Sequence, residues 1–238
     1  MNWPFIGLAL LCAGFIQGLT GFGFGLVSMS LLPFAIGLKQ AAAISTIFSL
    51  LATVTTFIRH FREYDWRLGL PFLVSVCAGV PIGVYFLDRG SEGLLVRILG
   101  AVMLSFAARE FLFGKQPQSL PSMVTVPLGL FSGVLSGAFN LGGIPSAAYA
   151  YAHSWSRGQI MAFLQVMITI SCLLRLIFYG RFGMLGEFSI WFGLALIVPL
   201  YAAIWLGHWV MQKTAPKHIR KGVFGFIAIA GAYYVVMG

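Results

Sequence analysis

The stretch GFIQGLTGFGFG, Gly14–Gly25, holds five glycines in twelve residues, and GLFSGVLSGAFNLGG, Gly129–Gly143, holds five in fifteen. Both lie inside long apolar runs and recur about half a chain apart. A glycine in a helix interior costs about 1 kcal/mol relative to alanine. So dense a cluster inside an apolar segment therefore has to do something. In membrane carriers, backbone that breaks from helix lines a substrate site.

The 238 residues are 59% hydrophobic and 9% charged, with a mean hydropathy of +0.92. Soluble domains carry about 25% charged residues, so the chain reads as a multi-pass membrane protein in one membrane domain, 1–238. The start, Met1-Asn2-Trp3-Pro4-Phe5, lacks the basic region of a secretory signal and reads as the edge of the first membrane segment. The formal charge of +9 follows the usual basic bias of cytoplasmic loops. Basic residues scattered over short loops argue against nucleic acid as a partner. Cys12, Cys77 and Cys172 lie in apolar segments without metal-ligand spacing. They predict neither a disulfide framework nor a metal site.

Apolar segments run Phe5–Leu38, Ala41–Ile58, Leu68–Leu87, Leu94–Phe113, Met123–Ser154, Gln159–Tyr179, Phe188–Met211 and Ile219–Met237. The polar stretch 114–121 (GKQPQSLP) reads as a linker between repeat one, 1–113, and repeat two, 122–238. At a spacing of 116, Gly21 pairs with Gly137 and Arg59 with Arg175, while Pro81 and Pro199 fall two residues off.

Length and charge then decide the fold. The two glycine-rich segments, at about 1.5 Å per residue, would run roughly 50 Å if straight, too long for a hydrocarbon core of about 30 Å. Eight simple helices in two parallel repeats divide the basic residues seven against eight. Turning each glycine-rich segment back as a re-entrant hairpin of two half-length arms makes the split ten against five, as the positive-inside tendency expects. The expectation is an all-α polytopic membrane protein of two inverted repeats, each a glycine-broken re-entrant hairpin plus three transmembrane helices. Both termini would then face away from the cytoplasm.

Close helix packing accounts for the GxxxG spacing of Gly14 and Gly18, and of Gly129 and Gly133. It does not account for Gly21-Phe-Gly23-Phe-Gly25 or for Gly142-Gly143-Ile-Pro145, where an unwound crossover is expected. Such a break frees N–H groups at the start of the next helix, which favour an anion. Gln17, Thr20 and Ser28 flank the first break; Ser136, Asn140 and Ser146 flank the second. With Gly21, Gly23, Gly25, Gly142, Gly143 and Pro145 they form the expected substrate shell. Arg175 lies about five residues before the end of its span, either snorkelling to the interface or coordinating the anion. No carboxylate falls at a span centre, and no catalytic pairing of Ser, Cys, His or acids is evident. The reading is a non-enzymatic protein without metal or cofactor, its partners a small anionic substrate and the lipid bilayer. A homo-oligomer stays open, because GxxxG faces can also join subunits.

The stretches GFIQGLTGFGFG, GVLSGAFNLGGIPSAAY, WSRGQIMAFLQ and KHIRKGVFGFIAIAG, in that order, resemble the sulfite exporter TauE/SafE family. Ile144 stands before Pro145 where that pattern would have a second proline. The resemblance implies a secondary transporter of the bacterial inner membrane moving sulfite, sulfonates or related organic anions. A non-transporting membrane scaffold subunit and an anion channel are the alternatives.

Overall fold

A computed structural model describes residues 2–113, 120–185, 190–213 and 216–238. The expected linker, apart from Leu120 and Pro121, lies outside the described residues, as does the side chain of Arg59. Among the described residues the chain is helical, with no strand. The order is α1 (Trp3–Thr20), α2 (Phe24–Leu31, extended by a 3-10 turn Leu32–Phe34), α3 (Leu38–His60), α4 (Trp66–Arg89) and α5 (Glu92–Phe113), followed by α6 (Thr125–Phe139), α7 (Gly143–Tyr151), α8 (Arg157–Arg181), α9 (Ile190–Lys213) and α10 (Pro216–Met237). Five of the described helices, α1, α3, α4, α8 and α9, are long and apolar enough to cross a bilayer. This is an all-α polytopic membrane protein.

Local chemistry sets the helix ends. Asp65 caps α4 by accepting from the backbone N–H groups of Arg67 and Leu68. Ser156 and Gln159 cap α8 reciprocally, each side chain bonding the other's backbone. α1 stops because Gly21 turns left-handed, φ 77°, and sends its N–H back to the Gln17 carbonyl. Gly23, at φ 135°, then lets α2 start at Phe24.

The second break differs from its expected place. α6 ends on Asn140, φ 58°, the sole non-glycine residue with positive φ among the described residues. Asparagine tolerates this region because its short side chain finds local hydrogen bonds. Gly143, expected in the break, is already helical, and Pro145 sits in the first turn of α7, where a missing N–H costs nothing. The arms are also unequal rather than half-length. α1 has 18 residues and α6 has 15, while α2 has 8 and α7 has 9.

Glycine contacts give the helix directions. Gly7 lies beside Phe192 and Leu196, Gly14 beside Leu200 and Ile204, and Gly18 beside Ile204 and His208, so α1 and α9 run the same way. Gly129 lies beside Phe72, Gly133 beside Val76 and Gly79, and Gly137 beside Val80 and Val84, so α6 and α4 do too. α5 and α10 run oppositely, Gly93 meeting Gly238 and Gly100 meeting Gly231. α3 and α8 also oppose: Gly158 packs under Glu63, and the Tyr179 hydroxyl lies near Thr46.

The same close approach occurs twice. A methyl on Gly18 would run into the Ile204 carbonyl and the His208 nitrogen; on Gly137 it would meet the Val80 carbonyl and the Val84 nitrogen. Gly137 follows Gly18 by 119 residues, and the two contacted positions shift by 124. Neither shift equals the spacing of 116. Gly21 and Asn140, also 119 residues apart, each cap the C-terminus of their helix, and 119 residues before Arg175 stands Thr56. Pro81 and Pro199 fail to match under either shift.

Candidate functional site

The start of α2 meets the C-terminal cap of α6. A side chain at Gly25 would strike the Asn140 carbonyl and side chain, so only glycine lets the two breaks touch. Asn140 donates from Nδ2 to Ser45 Oγ at 2.6 Å, and Ser45 shares a hydrogen bond with Ser28. One polar chain thus joins α2, α3 and the second break. Within the first break, Gln17 Oε1 accepts the Phe24 N–H at 3.1 Å and its Nε2 reaches the Gly21 carbonyl at 3.2 Å. Within the second, Ser132 donates to the Gly142 carbonyl at 2.8 Å and bonds Ser146 at 2.9 Å.

Between the breaks lies a cleft enclosing about 490 Å³ with its open mouth. The sequence-predicted residues Gln17, Gly23, Gly25, Ser136, Asn140, Gly142, Gly143, Ser146 and Arg175 line it. Thr20, Gly21, Ser28 and Pro145 stand behind the wall. Thr20 bonds the Ile16 and Phe22 carbonyls, and Gly21 turns the chain. Ser28 holds the Gly25 carbonyl and Ser45. Pro145 is buried in the first turn of α7.

Sequence reading missed Ser49, Ser132 and Ser171, which share the lining with Met167 and Ile168. Each is a lone small polar residue in a span, and only the packing of α3, α6 and α8 brings them to one place. It also missed Gln165, whose Nε2 donates to the Gly21 carbonyl at 2.7 Å across 144 residues.

Arg175 does not snorkel: it is 0% exposed. Its Nε donates to the Ser171 carbonyl at 3.3 Å, Nη1 to the Ser136 carbonyl at 3.1 Å and Nη2 to Cys172 Sγ at 3.0 Å. Of the five N–H groups of a guanidinium, two remain beyond these three. No carboxylate pairs with it; the ion pairs among the described residues are Lys39–Asp88, His60–Glu63 and Arg89–Asp88. What offsets its charge in the protein is the negative end of α6, where the Ser136 carbonyl faces it. Tyr179 donates to the next one, Gly137, at 2.9 Å. An anion entering the cleft meets a full positive charge, serine hydroxyls and the N-terminal turns of α2 and α7.

The chain matches the sulfite exporter TauE/SafE family over residues 6–234. It is 27% identical to a probable sulfite/organosulfonate exporter TauE from Cupriavidus necator, over 96% of this chain and 93% of that protein. It is 22% identical to a probable membrane transporter protein from Methanocaldococcus jannaschii, over 95% of this chain and 94% of that one. No solved structure gives a significant match. With the family match spanning nearly its whole length, the chain belongs to the sulfite exporter TauE/SafE family of membrane transporters.

Proposed function

We propose that the protein is a secondary transporter moving small sulfur-containing or organic anions, such as sulfite, sulfonates or short carboxylates, across the bacterial inner membrane. The observation that carries this is Arg175: a buried guanidinium without a carboxylate partner, on the wall of a cleft between two helix breaks. Ser136, Ser146, Asn140 and Gln17 complete the shell around the anion. A buried charge in a membrane span is costly, and an anionic ligand recovers that cost.

The transporter is built of two inverted repeats, 1–113 and 122–238, each a hairpin plus three spans. Support comes from the paired contacts of Gly18 and Gly137, and from helix directions. α1 runs with α9, α6 runs with α4, and the pairs α3–α8 and α5–α10 oppose. If each helix reverses between halves, α2 and α7 must turn back from α1 and α6. Alternating access then follows from one hairpin rocking against the other around the cleft.

The test is flux into proteoliposomes with sulfite, a sulfonate and a short carboxylate, with and without a pH gradient. Anion flux that Arg175→Gln abolishes supports the reading. Normal flux in that variant removes Arg175 from the site.

A further inference from the structure

The two long hairpin arms end in different electrostatic company. At the C-terminal end of α6 the Ser136 carbonyl receives a built-in cation, Arg175. At the C-terminal end of α1 the corresponding position on α3, 119 residues before Arg175, is Thr56, which carries no charge. At the end of α1 the Gly21 carbonyl instead accepts from the side-chain amides of Gln17 and Gln165.

Two buried oxygens of α8 have no hydrogen-bond partner among the described residues. Gln165 is 0% exposed and Thr169 8% exposed, and neither Gln165 Oε1 nor Thr169 Oγ1 has a hydrogen-bond partner. They lie four residues apart on α8, hence on one face. The orientation of the Gln165 amide is fixed: its Nε2 donates to the Gly21 carbonyl, so the unpartnered atom is the oxygen. Buried polar atoms without partners are costly and mark places where an ion or water belongs. Neighbouring positions of the same helix, Ile168 and Ser171, line the anion cleft.

We propose that Gln165 Oε1 and Thr169 Oγ1, on the helix whose Gln165 amide reaches the negative end of α1, form part of a binding site for a small monovalent cation of sodium type. Neutral oxygens and helix C-terminal ends are the donor set that such hard cations take in transporters. The bound cation does at α1 what Arg175 does at α6, and holds the Gly21 turn beside the cleft. Binding there couples a cation to the anion. The comparison of the two arms rests on the repeat reading above; the unpartnered oxygens do not.

The test uses the purified full chain and sodium chloride, with lithium, potassium and N-methylglucamine chlorides at equal ionic strength. Saturating sodium or lithium is expected to raise the melting midpoint by on the order of 5 °C over N-methylglucamine. Thr169→Val, close in shape, loses the shift, and Thr169→Ser keeps it. Equal midpoints in all four salts, or an undiminished shift in Thr169→Val, overturn the site. Proteoliposome flux separates the two proposals. Anion flux indifferent to sodium, lithium and potassium overturns the coupling and leaves the anion reading intact. A cation-specific shift without flux of any anion leaves the cation site standing and sinks the anion reading.

Discussion

Arg175 Nη1 and the Ser136 carbonyl lie 3.1 Å apart, so a guanidinium from α8 sits on the last turn of α6. The contact has two consequences. It ties the second break to α8, and it stabilises the positive charge in a place where lipid-facing burial would expel it.

Arg175→Gln keeps a side-chain donor but removes the charge. A lost charge-assisted hydrogen bond is worth about 1.5–3 kcal/mol, roughly 10- to 100-fold in anion affinity. Arg175→Lys should recover part of this, because a point charge replaces the planar fork without spanning Ser136 and Cys172 together. Flux against anion concentration measures both. An apparent affinity unchanged in Arg175→Gln rejects the role.

Asn140 does two jobs that can be separated. Its φ of 58° suits glycine equally well, whereas its Nδ2 contact with Ser45 has no glycine substitute. Asn140→Gly should leave the fold intact and lose the bond from the second break to α3, lowering stability by about 1 kcal/mol. Asn140→Ala adds backbone strain of about 1–2 kcal/mol. Melting midpoints ordered wild type, Gly, Ala check the argument; Ala above Gly contradicts it.

The helical, membrane-spanning character and the position of the first break were legible because glycine spacing and span length are local quantities. Asn140 was legible as a polar neighbour, but not as the cap, since Gly142-Gly143-Pro145 is the stronger breaker by composition. Gln165 was invisible. Its role exists only because α8 passes the Gly21 turn, and a single amide in a long apolar span carries no periodic signal.

Gly18 and Gly137 are spacing devices, and Gly143 is not. A methyl at the first two meets backbone of the neighbouring helix, which cannot move aside; at Gly143 nothing lies within 4 Å. Gly18→Ala and Gly137→Ala should each cost about 1–3 kcal/mol by overpacking. Gly143→Ala, in the first turn of α7, should be neutral or stabilising by up to about 1 kcal/mol. Monodisperse yield and midpoint in detergent give the comparison. Equal loss in all three variants removes the packing explanation.

Tyr64, in the connection between α3 and α4, buries a hydroxyl that has no partner. Burial, and then the Asp65 charge beside it, hold the phenol above its ordinary range. The folded protein thus keeps a proton that the unfolded chain gives up near pH 10, so the stability of the fold falls as pH rises beyond that point. Tyr64→Phe should remove this alkaline loss and, near neutral pH, stabilise by about 1 kcal/mol by deleting an unsatisfied group. Midpoints of the two proteins from pH 7 to 11 test it; parallel curves contradict the assignment.

The re-entrant arrangement makes a claim about sides that a simple eight-span chain does not share. Gly158 at the start of α8 packs against Glu63 at the end of α3. Leu38 at the start of α3 donates its N–H to Glu92 at the start of α5, at 2.9 Å. The first contact puts Arg62 and Ser154 on one side of the bilayer, and the second puts Lys39 on the other. Eight successive crossings would separate Arg62 from Ser154. Single cysteines at these positions, in a background lacking Cys12, Cys77 and Cys172, can be labelled with an impermeant maleimide in intact cells and in inverted vesicles. Arg62→Cys and Ser154→Cys should react only in inverted vesicles, where the cytoplasmic face is exposed, since Arg62, Arg67 and Arg157 concentrate positive charge there. Lys39→Cys should react in intact cells. Opposite labelling of positions 62 and 154 would return the glycine-rich segments to single crossings and take the inverted repeat with it.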